Sequence, residues 1–374
     1  MKIGILGAGQ LGRMLALAGY PLDLDFVFLD PATEACAAPL GEHLYAGYDD
    51  ENALAEFCRQ IDVATYEFEN VPARTAEVVG ARVPLLPAAV ALTVGQDRLS
   101  EKTLFDSLKI PVPRYMPVAT REALDIAARV VGLPAVLKTR RLGYDGKGQA
   151  VLRTPADLDA AWERLGTQPL ILEAFVRFER ELSCIAVRGK QGELAFYPVI
   201  ENVHRDGILR IATPRVQDPL QAEAEDYARR VVEHLGYVGV LAFEFFVAAA
   251  PDGGGRLLAN EIAPRVHNSG HWSIEGAECS QFENHLRAIT GLPLGSTALR
   301  GHSAMVNYIG RAPTDADVAA IAGVHIHHYG KTPKPQRKVG HATVTAPDAA
   351  TLQDRLARLQ ALVGAAEDEG APTT

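Results

Sequence analysis

The sequence predicts a fold of two or three packed domains that combines a parallel α/β unit with α+β units. Three observations support this prediction: the length of 374 residues, the alternation of apolar runs with amphipathic segments over residues 1–95, and the hairpin-like spacing of apolar runs after it. A chain of this length that is 48% apolar has enough material for more than one hydrophobic core.

The first block, residues 1–95, has the strand and helix alternation of a Rossmann-like domain. Its apolar runs are Ile3 to Leu6, Phe26 to Leu29 and Val63 to Tyr66. A helix that starts at Gln10 follows the first run, and such β-α-β alternation is typical of a parallel sheet. Pro84, Pro87 and the polar stretch Gly95 to Lys102 then break the pattern, so we expect a boundary near residue 95.

The second block, residues 96–298, is predicted to be an α+β domain with antiparallel hairpins. A helix is expected after Thr120, and Thr154 is expected to cap a second helix because Pro155 and Asp157 follow it. The strands and the last helix of this block are predicted at Ala135 to Lys138, Gly148 to Leu152, Leu170 to Leu172, Leu182 to Val187, Gly239 to Val247, Leu257 to Ile262 and Gln281 to Thr290.

The third block, residues 299–374, is predicted to be a small C-terminal domain. Its strands are expected at Val324 to Tyr329 and His341 to Thr345, and a helix from Pro347 to about Val363 precedes a polar tail. His325, His327 and His328 alternate along a strand without nearby thiols, so we interpret them as structural or surface residues rather than zinc ligands.

Composition limits the function classes. A net charge of -9 argues against a general nucleic-acid binder, which needs a Lys and Arg surplus. The four cysteines form no C-x-x-C pair, so neither a zinc knuckle nor a disulfide framework is indicated. We find no signal peptide and no apolar run of membrane-spanning length, and therefore expect a cytoplasmic protein.

The N-terminal glycines are an ambiguous signal. Gly7, Gly9 and Gly12 follow a strand and open a helix, and Asp30 ends the second strand, as in a dinucleotide-binding fingerprint. Taken alone, this pattern favours NAD. The same turn would hold any phosphate or carboxylate, and glycines that only permit a tight strand-to-helix turn explain it equally well.

A phosphate-binding element is the strongest signal in the second block. Lys138 ends an apolar strand, and a lysine there needs an anion, for which a phosphate is well suited. The loop that follows can direct several backbone amides at phosphates. Its residues are Gly143, Tyr144, Asp145, Gly146, Lys147, Gly148 and Gln149.

The segment from Glu173 through Ala174 and Phe175 to Val176 is a candidate nucleotide-binding edge. Its backbone groups could pair with an adenine, while Glu181 is placed to accept hydrogen bonds from two ribose hydroxyls. The alternative is that Glu173 and Glu181 are ordinary surface charges. For Glu173 this alternative is nearly as strong as nucleotide binding.

Glu244 and Glu261 are candidate magnesium ligands. If the hairpin turn is centred on Asp252-Gly253, the strongest hairpin dipeptide, Glu244 stands directly opposite Glu261. Opposed like charges destabilise a sheet, and a carboxylate among Phe243, Phe245 and Phe246 is costly without compensation. Oxygen ligands that bridge to nucleotide phosphates favour Mg²⁺.

These parts, in this order, resemble the ATP-grasp enzymes. More narrowly, four motifs resemble the N5-carboxyaminoimidazole ribonucleotide synthetases, a family of purine-biosynthetic ligases. The motifs are Gly7 to Met14, Tyr66 to Pro72, Leu137 to Gln149 and Asn260 to Trp272. The resemblance implies an N-terminal preATP-grasp domain, a central ATP-grasp domain with a flexible lid at about 115–180, and a small C-terminal domain.

The resemblance also implies a reaction and residue roles. ATP and bicarbonate give carboxyphosphate, whose carboxyl group is transferred to the amine of 5-aminoimidazole ribonucleotide, and ADP and phosphate leave. Glu244 and Glu261 match the metal ligands, and Arg265, His267 and Asn268 fall where bicarbonate and substrate meet. The ATP-contacting positions are matched by Arg98, Lys138, Gly143 to Gln149, Glu173 to Val176, Glu181, His204, Asn260 and Glu261.

The other substrate would need its own phosphate site. A basic run includes Lys331, Arg337 and Lys338, which the resemblance makes candidate 5′-phosphate ligands, although a solvated loop is the usual fate of such a run. Gln10, Leu11 and Glu69 are expected to face the same cavity. A homodimer is implied by the family alone.

Several alternatives stay open from the sequence. Biotin carboxylase and a formate-dependent glycinamide ribonucleotide transformylase would share the ATP site and differ in the acceptor. An NAD-dependent oxidoreductase and a non-catalytic nucleotide-sensing module are rivals from other classes. For His267, a purely structural role beside a proline turn also remains open.

Overall fold

The N-terminal block forms a four-stranded parallel sheet, as predicted. The computed structural model describes residues 1–143, 148–249 and 255–369. In this first block the strand order is β3-β2-β1-β4. The elements are β1 (Lys2–Leu6), α1 (Gln10–Gly19), β2 (Asp25–Leu29), β3 (Glu42–Leu44), α2 (Glu51–Gln60), β4 (Val63–Tyr66) and α3 (Ala73–Gly80), with 3-10 turns at Tyr20–Leu22 and Ala38–Leu40.

The polar stretch Gly95 to Lys102, which ends the strand and helix alternation, is mostly helical. Helix α4 (Ala89–Gly95) leads directly into helix α5 (Arg98–Ser107). The Asp97 carboxylate caps α5 because it accepts hydrogen bonds from the amides of Leu99 and Ser100. Helix α5 buries Glu101 and Lys102, so the polar stretch is an interior helix and not a linker.

A separate antiparallel sheet follows, with strand order β5-β8-β6-β7. Thr120 caps α6 as predicted, since its hydroxyl accepts from the Ala123 amide at 3.1 Å. The cap at Thr154 is wrong, because the Asp157 carboxylate instead accepts from the Arg153 and Thr154 amides. The elements are β5 (Tyr115–Val118), α6 (Arg121–Val131), β6 (Ala135–Thr139), β7 (Gln149–Leu152), α7 (Asp157–Leu165) and β8 (Leu170–Ala174).

In the described residues, the rest of the chain builds one nine-stranded sheet of order β14-β13-β9-β11-β12-β15-β17-β16, with β10 paired to β9. Its second-block elements are β9 (Phe178–Arg188), β10 (Leu194–Phe196), β11 (Ile200–Arg205), β12 (Ile208–Pro214), α8 (Gln221–His234), β13 (Gly239–Ala248), β14 (Arg256–Ala263), a 3-10 turn (Asn268–Gly270), α9 (Ser273–Gly276) and α10 (Gln281–Thr290). Its third-block elements are β15 (His302–Ile309), α11 (Asp315–Ala319), β16 (Val324–His328), β17 (Lys338–Ala346) and α12 (Ala349–Glu369).

The third block therefore continues the sheet of the second, because β15 pairs with β12. Helix α10 has the predicted bounds, whereas α12 extends past the predicted end at Val363. Among the described helices, none is both long and apolar enough to cross a membrane.

One face of the large sheet carries the polar side chains of the site. Glu244 pairs directly with Ser183 and with Glu261, and Asn202 pairs with Glu181. Directly paired residues, and residues two apart on one strand, share a face. These five side chains consequently project to the same side, which the next section describes.

Candidate active site

Two lysines share one buried carboxylate beside the predicted phosphate loop. Nζ of Lys138 donates to Oε2 of Glu173 at 2.9 Å, and Nζ of Lys102 lies 3.9 Å from the same oxygen. Burial opposes the ionisation of Glu173, yet Lys102, Lys138 and Arg98 lower its pKa to about 2. Glu173 is therefore an ionised counter-ion, and its interpretation as a surface charge is wrong.

Helix α5 connects this cluster to the opposed carboxylates. Nη1 of Arg98 donates to Oε2 of Glu261 at 2.9 Å. The Lys102 ammonium also donates to the carbonyl oxygen of Asn260 at 2.5 Å. Glu101 accepts from the Ile262 amide at 2.7 Å, and burial raises the pKa of Glu101 to about 8. Sequence reasoning missed Lys102 and Glu101 because they lie in the stretch interpreted as a break.

Glu244 and Glu261 stand directly opposite each other, as predicted. The register shifts by one immediately beyond Glu244, so that Phe245 pairs with Ala259 and Asn260 is the extra residue of a β-bulge. Asp252-Gly253 lies outside the described residues. Burial and the nearby Glu261 raise the pKa of Glu244, against the opposing influence of His204 and Lys338. This carboxylate pair gains stability from a cation.

The donor set fits a divalent ion that also binds a nucleotide. In the described chain, no group of three or more His, Cys, Asp or Glu side chains converges to hold a metal alone. Mg²⁺ characteristically takes one or two carboxylates and completes its shell with phosphate oxygens and water. Glu244 and Glu261 could supply those carboxylates.

Glu181 lies beside His204. The Glu181 Oε2 atom is 2.8 Å from Nδ1 of His204. Burial opposes protonation of His204, but the Glu181 hydrogen bond and the Glu244 charge raise its pKa above the ordinary value. The two predicted ATP-contacting residues thus meet on the same sheet face as the carboxylate pair.

Arg265, His267 and Glu69 form the next part of the site. Nε of Arg265 donates to Oε2 of Glu69. Burial of the His267 ring, together with Arg265 and Lys338, lowers the His267 pKa to about 3. The neutral imidazole places Nε2 at 3.5 Å from Oε1 of Glu244. Among the described residues Nη2 of Arg265 has no partner, which leaves one edge of the guanidinium for an anion.

Asn268 is held by a second amide. Its Nδ2 donates to Oδ1 of Asn307 at 3.1 Å, and Nδ2 of Asn307 donates back at 2.7 Å. Asn307 is itself anchored to the Leu209 carbonyl. The three predicted catalytic residues are therefore rigidly supported.

The N-terminal glycine turn already holds a carboxylate of the chain itself. Glu67 accepts from the Gly9 amide and, at 2.7 Å, from the Gly12 amide. A Cβ at Gly9 would lie 2.4 Å from Oε1 of Glu67, so a side chain there would displace the Glu67 carboxylate. Asp30, the acidic residue of the same pattern, accepts from the Ala8 amide at 2.8 Å. Carboxylates of the chain itself therefore accept the hydrogen bonds of the turn amides that the fingerprint would offer to a dinucleotide.

The predicted substrate-phosphate residues have different hydrogen-bond partners but lie close enough to influence one another. The Lys331 ammonium donates to Oε1 of Gln10, next to buried Leu11 and close enough to Glu67 to interact with it. Arg337 donates to the Thr332 carbonyl at 3.0 Å. Lys338 acts on the pKa of Glu244, His204 and His267, and, besides burial, both Lys338 and Arg337 also lower the pKa of Lys331.

The phosphate loop is described only at its ends. Tyr144, Asp145, Gly146 and Lys147 lie outside the described residues. Gly143 precedes them, Gly148 has a φ of +71°, and Gln149 begins β7 opposite Lys138. A side chain at Gly148 would meet Thr139 Oγ1 at 2.6 Å.

The expected free backbone groups of the adenine edge are partly wrong. The Ala174 amide donates to the Arg114 carbonyl at 2.8 Å, and the Phe175 amide donates to that of Pro134 at 3.1 Å. Strand β8 lies between β5 and β6, so its backbone is paired on both sides. In the described chain, the Val176 amide has no backbone acceptor.

The alternating histidines of β16 contact carboxylates. Nε2 of His327 lies 2.7 Å from Oε1 of Glu275, and Nε2 of His328 lies 2.8 Å from Oδ1 of Asp315. His327 also stacks on His341 with ring centroids 4.4 Å apart. These contacts give His327 and His328 structural partners.

The chain matches three protein-family models in the order of its blocks. They are the ribonucleotide synthetase preATP-grasp domain at residues 1–96, the ATP-grasp domain at 103–282 and the phosphoribosylaminoimidazole carboxylase C-terminal domain at 303–355. Together with the lysine and carboxylate site, these matches define an ATP-grasp ligase.

Individual relatives narrow the class to one family. N5-carboxyaminoimidazole ribonucleotide synthase of Pseudomonas aeruginosa is 58% identical over 98% of this chain and 100% of its own. The crystal structure of the synthetase from Thermus thermophilus has 55% identity, a TM-score of 0.91 and coverage of 96% and 98%. The Aspergillus clavatus synthase, in complex with ADP and 5-aminoimidazole ribonucleotide, has 32% identity, a TM-score of 0.88 and coverage of 97% and 98%.

The chain belongs to the N5-carboxyaminoimidazole ribonucleotide synthase family. The resemblance found in the four motifs is thereby confirmed, as are the fold class and the assignment to ATP-dependent ligases. The NAD-dependent oxidoreductase alternative is wrong, and the physical reason is that Glu67 occupies the amides that a pyrophosphate would need.

Replacing Glu173 by Gln should strongly destabilise the protein. The change leaves Lys102 and Lys138 buried without their counter-ion, and loss of one partner of a buried pair costs about 3–5 kcal/mol. Urea unfolding of the Glu173→Gln variant at pH 7 measures this cost. The exposed Glu163→Gln change in α7 is the matched control and should be nearly neutral.

The same carboxylate predicts an acid-dependent loss of stability. The folded pKa of about 2 lies below the unfolded value. Its contribution is therefore complete above the unfolded pKa of about 4.3 and is lost as the pH falls towards 2. Between pH 5 and pH 3 the wild type should lose about 1–2 kcal/mol more than Glu173→Gln. An equal loss in both proteins would contradict the assignment.

Proposed function

We propose that this protein carboxylates 5-aminoimidazole ribonucleotide to N5-carboxyaminoimidazole ribonucleotide in de novo purine biosynthesis. The reaction consumes ATP and bicarbonate and releases ADP and phosphate. The observation that carries the proposal is the contact between two halves of the site: the His267 imidazole lies 3.5 Å from Glu244 of the carboxylate pair. Groups suited to bicarbonate thus adjoin groups suited to a metal-bound nucleotide.

The chemistry proceeds in two transfers. A bicarbonate oxygen attacks the γ-phosphorus of ATP, the bond to the β-phosphate oxygen breaks, and ADP leaves. The resulting carboxyphosphate loses phosphate to give carbon dioxide, which the amine of the acceptor captures with loss of a proton. Because phosphoryl transfer depends mainly on positioning and charge neutralisation, no covalent protein nucleophile is needed.

Each part of the site has a role in this scheme. Lys138 and the loop to Gln149 bind phosphates, Glu181 binds the ribose, and the free edge of Arg265 binds bicarbonate. Mg²⁺ held by Glu244 and Glu261 would neutralise charge that develops on the phosphates. We propose that residues about 115–180 act as the lid over ATP.

The contact of Lys331 with Gln10 supports an anion site between the C-terminal and N-terminal blocks for the nucleotide 5′-phosphate. Its ammonium is partly buried and its pKa is lowered, first by burial, which favours a phosphate partner. The proposal also includes a cytoplasmic homodimer, for which family membership is the support.

An ADP-release assay with each substrate omitted in turn tests the proposed function. ADP formation should require both 5-aminoimidazole ribonucleotide and bicarbonate. Turnover with formate and glycinamide ribonucleotide, or with biotin as acceptor, would replace the proposal by one of the other ATP-grasp reactions. ATP binding without turnover under any condition would favour a nucleotide-sensing module.

Glu261→Gln should lower magnesium-dependent ADP formation by about 100-fold or more, because one of two metal carboxylates is lost. The fold should persist, as checked by circular dichroism. Glu201→Gln is the matched control, since Glu201 lies on β11 facing Arg180 and Arg215 on the opposite side of the sheet. Undiminished ADP formation in Glu261→Gln would refute the metal role.

Lys331→Met should raise the KM for 5-aminoimidazole ribonucleotide by about 10- to 100-fold, the value of one charged hydrogen bond to phosphate. The KM for ATP should stay unchanged. Lys334→Met removes an exposed ammonium of the same loop and serves as the control. An equal effect of the two changes would show that general loop charge, rather than a Lys331 contact, attracts the substrate.

A further inference from the structure

A chain of buried hydrogen bonds ends at Nδ1 of His267, the ring nitrogen that does not face Glu244. Nδ2 of Asn202 lies 3.1 Å from Oγ of Ser183, which lies 2.8 Å from Oγ of Ser269. Oγ of Ser269 in turn lies 2.9 Å from Nδ1 of His267. Ser183 and Ser269 are fully buried, and Asn202 is 6% exposed. The relay, defined as Asn202, Ser183 and Ser269, therefore ends on one ring nitrogen.

A backbone amide fixes the direction of this chain. The Ser269 N–H points at Nδ1 of His267 from 3.3 Å. A backbone N–H can only donate, so Nδ1 must present its lone pair. The Ser269 hydroxyl then also donates to Nδ1 and accepts from Ser183, which accepts from Asn202. One N–H of Asn202 and the two serine hydroxyls thus form a chain of donors directed towards His267.

We propose that the relay holds His267 as the tautomer with its proton on Nε2, so that His267 donates a hydrogen bond to the reacting oxygens and does not serve as a base. The inference rests on the proposed function for the identity of those oxygens. Ser183, Ser269 and Asn202 are positioning residues in this scheme, because they act through His267.

The surroundings of Nε2 agree with a donor. Nε2 faces the carboxylate oxygen of Glu244 at 3.5 Å. The opposite tautomer would turn a lone pair towards that oxygen and would set Nδ1–H against the Ser269 N–H. Both contacts are repulsive, so two independent neighbours select the same tautomer. A donor at Nε2 can stabilise negative charge on bicarbonate or carboxyphosphate.

The His267 backbone is held separately from its ring. Oε1 of Gln281 accepts from the His267 amide at 2.9 Å, and Nε2 of Gln281 donates to the His267 carbonyl at 2.6 Å. Loss of a relay hydroxyl should consequently change the hydrogen bonding and orientation of the ring without displacing the main chain. This separation makes the proposal testable.

A second buried serine supplies a matched control. Oγ of Ser273 donates to the Gly270 carbonyl at 2.6 Å and accepts from the Gln281 amide at 3.0 Å. Ser273 is as buried as Ser269 but does not contact the His267 ring among the described residues. Ser273→Ala therefore reproduces the loss of a buried hydroxyl nearby, while the relay stays intact.

The direct test is the tautomer of His267 in ¹⁵N-histidine-labelled full-length protein without substrate. Two-dimensional ¹H–¹⁵N spectra distinguish a protonated from an unprotonated ring nitrogen, and His267→Asn assigns the signals by their loss. We expect an unprotonated Nδ1 and a protonated Nε2 in the wild type and in Ser273→Ala. We expect the His267 Nδ1 signal to shift clearly in Ser269→Ala, where only the backbone amide still donates to Nδ1. A smaller shift is expected in Ser183→Ala, where the Ser269 hydroxyl still donates.

Kinetics give the second readout. Ser269→Ala should lower the kcat for ADP release about tenfold, the value of one buried hydrogen bond, with an unchanged KM for ATP. Ser273→Ala should retain kcat. A wild-type His267 protonated on Nδ1, or Ser269→Ala with unaltered signals and the kcat of Ser273→Ala, would overturn the proposal. The spectra need no turnover, so this failure is distinguishable from failure of the proposed reaction.

Discussion

The direct opposition of Glu244 and Glu261 in a sheet is the constraint on which the rest of the site depends. Two carboxylates on paired positions repel, and the Glu244 side chain is only 14% exposed, so little water screens it. The chain responds with cations from three separate elements. Arg98 of α5 bonds Glu261, His204 of β11 has a raised pKa, and Lys338 of β17 acts on Glu244. These cations offset part of the carboxylate charge. The pKa of Glu244 nevertheless remains raised, so the site still favours one more cation.

Helix α5 is the structural link between this pair and the phosphate end of the site. Arg98 reaches the carboxylates, and four residues later Lys102 reaches both Glu173 and the bulged strand at Asn260. Residues four apart lie on one face of a helix. Helix α5 alone therefore positions Arg98 against Glu261 and Lys102 against Glu173. A buried ionic network is weak evidence for stability, since apolar replacements often do as well. Phosphate binding explains the alternating charges of this network better than a contribution to stability does.

The sequence was sufficient for the fold class, the family and the opposed carboxylates, because strand alternation, turn residues and long motifs are local signals. The carboxylate register was right although the turn argument omitted the bulge at Asn260. Lys102, Glu67 and the Ser183 to Ser269 relay could not be predicted, since their roles come from contacts between residues distant in the chain. Asp97 is a residue type that favours helix N-caps, so the start of α5 could have been predicted from the sequence. Thr154 shows the reverse, because its hydroxyl donates to the Asp157 carboxylate at 3.3 Å and caps no amide of the helix.

The central claim is that the opposed carboxylates hold a divalent ion together with nucleotide phosphates. Electron paramagnetic resonance of Mn²⁺ added to the protein with ADP tests it directly, with Glu244→Gln and the Glu201→Gln control in parallel. The account predicts one bound ion in the wild type and in the control, dependent on ADP, and at least tenfold weaker binding in Glu244→Gln, about 1.4 kcal/mol. Equally tight Mn²⁺ binding in Glu244→Gln would contradict it.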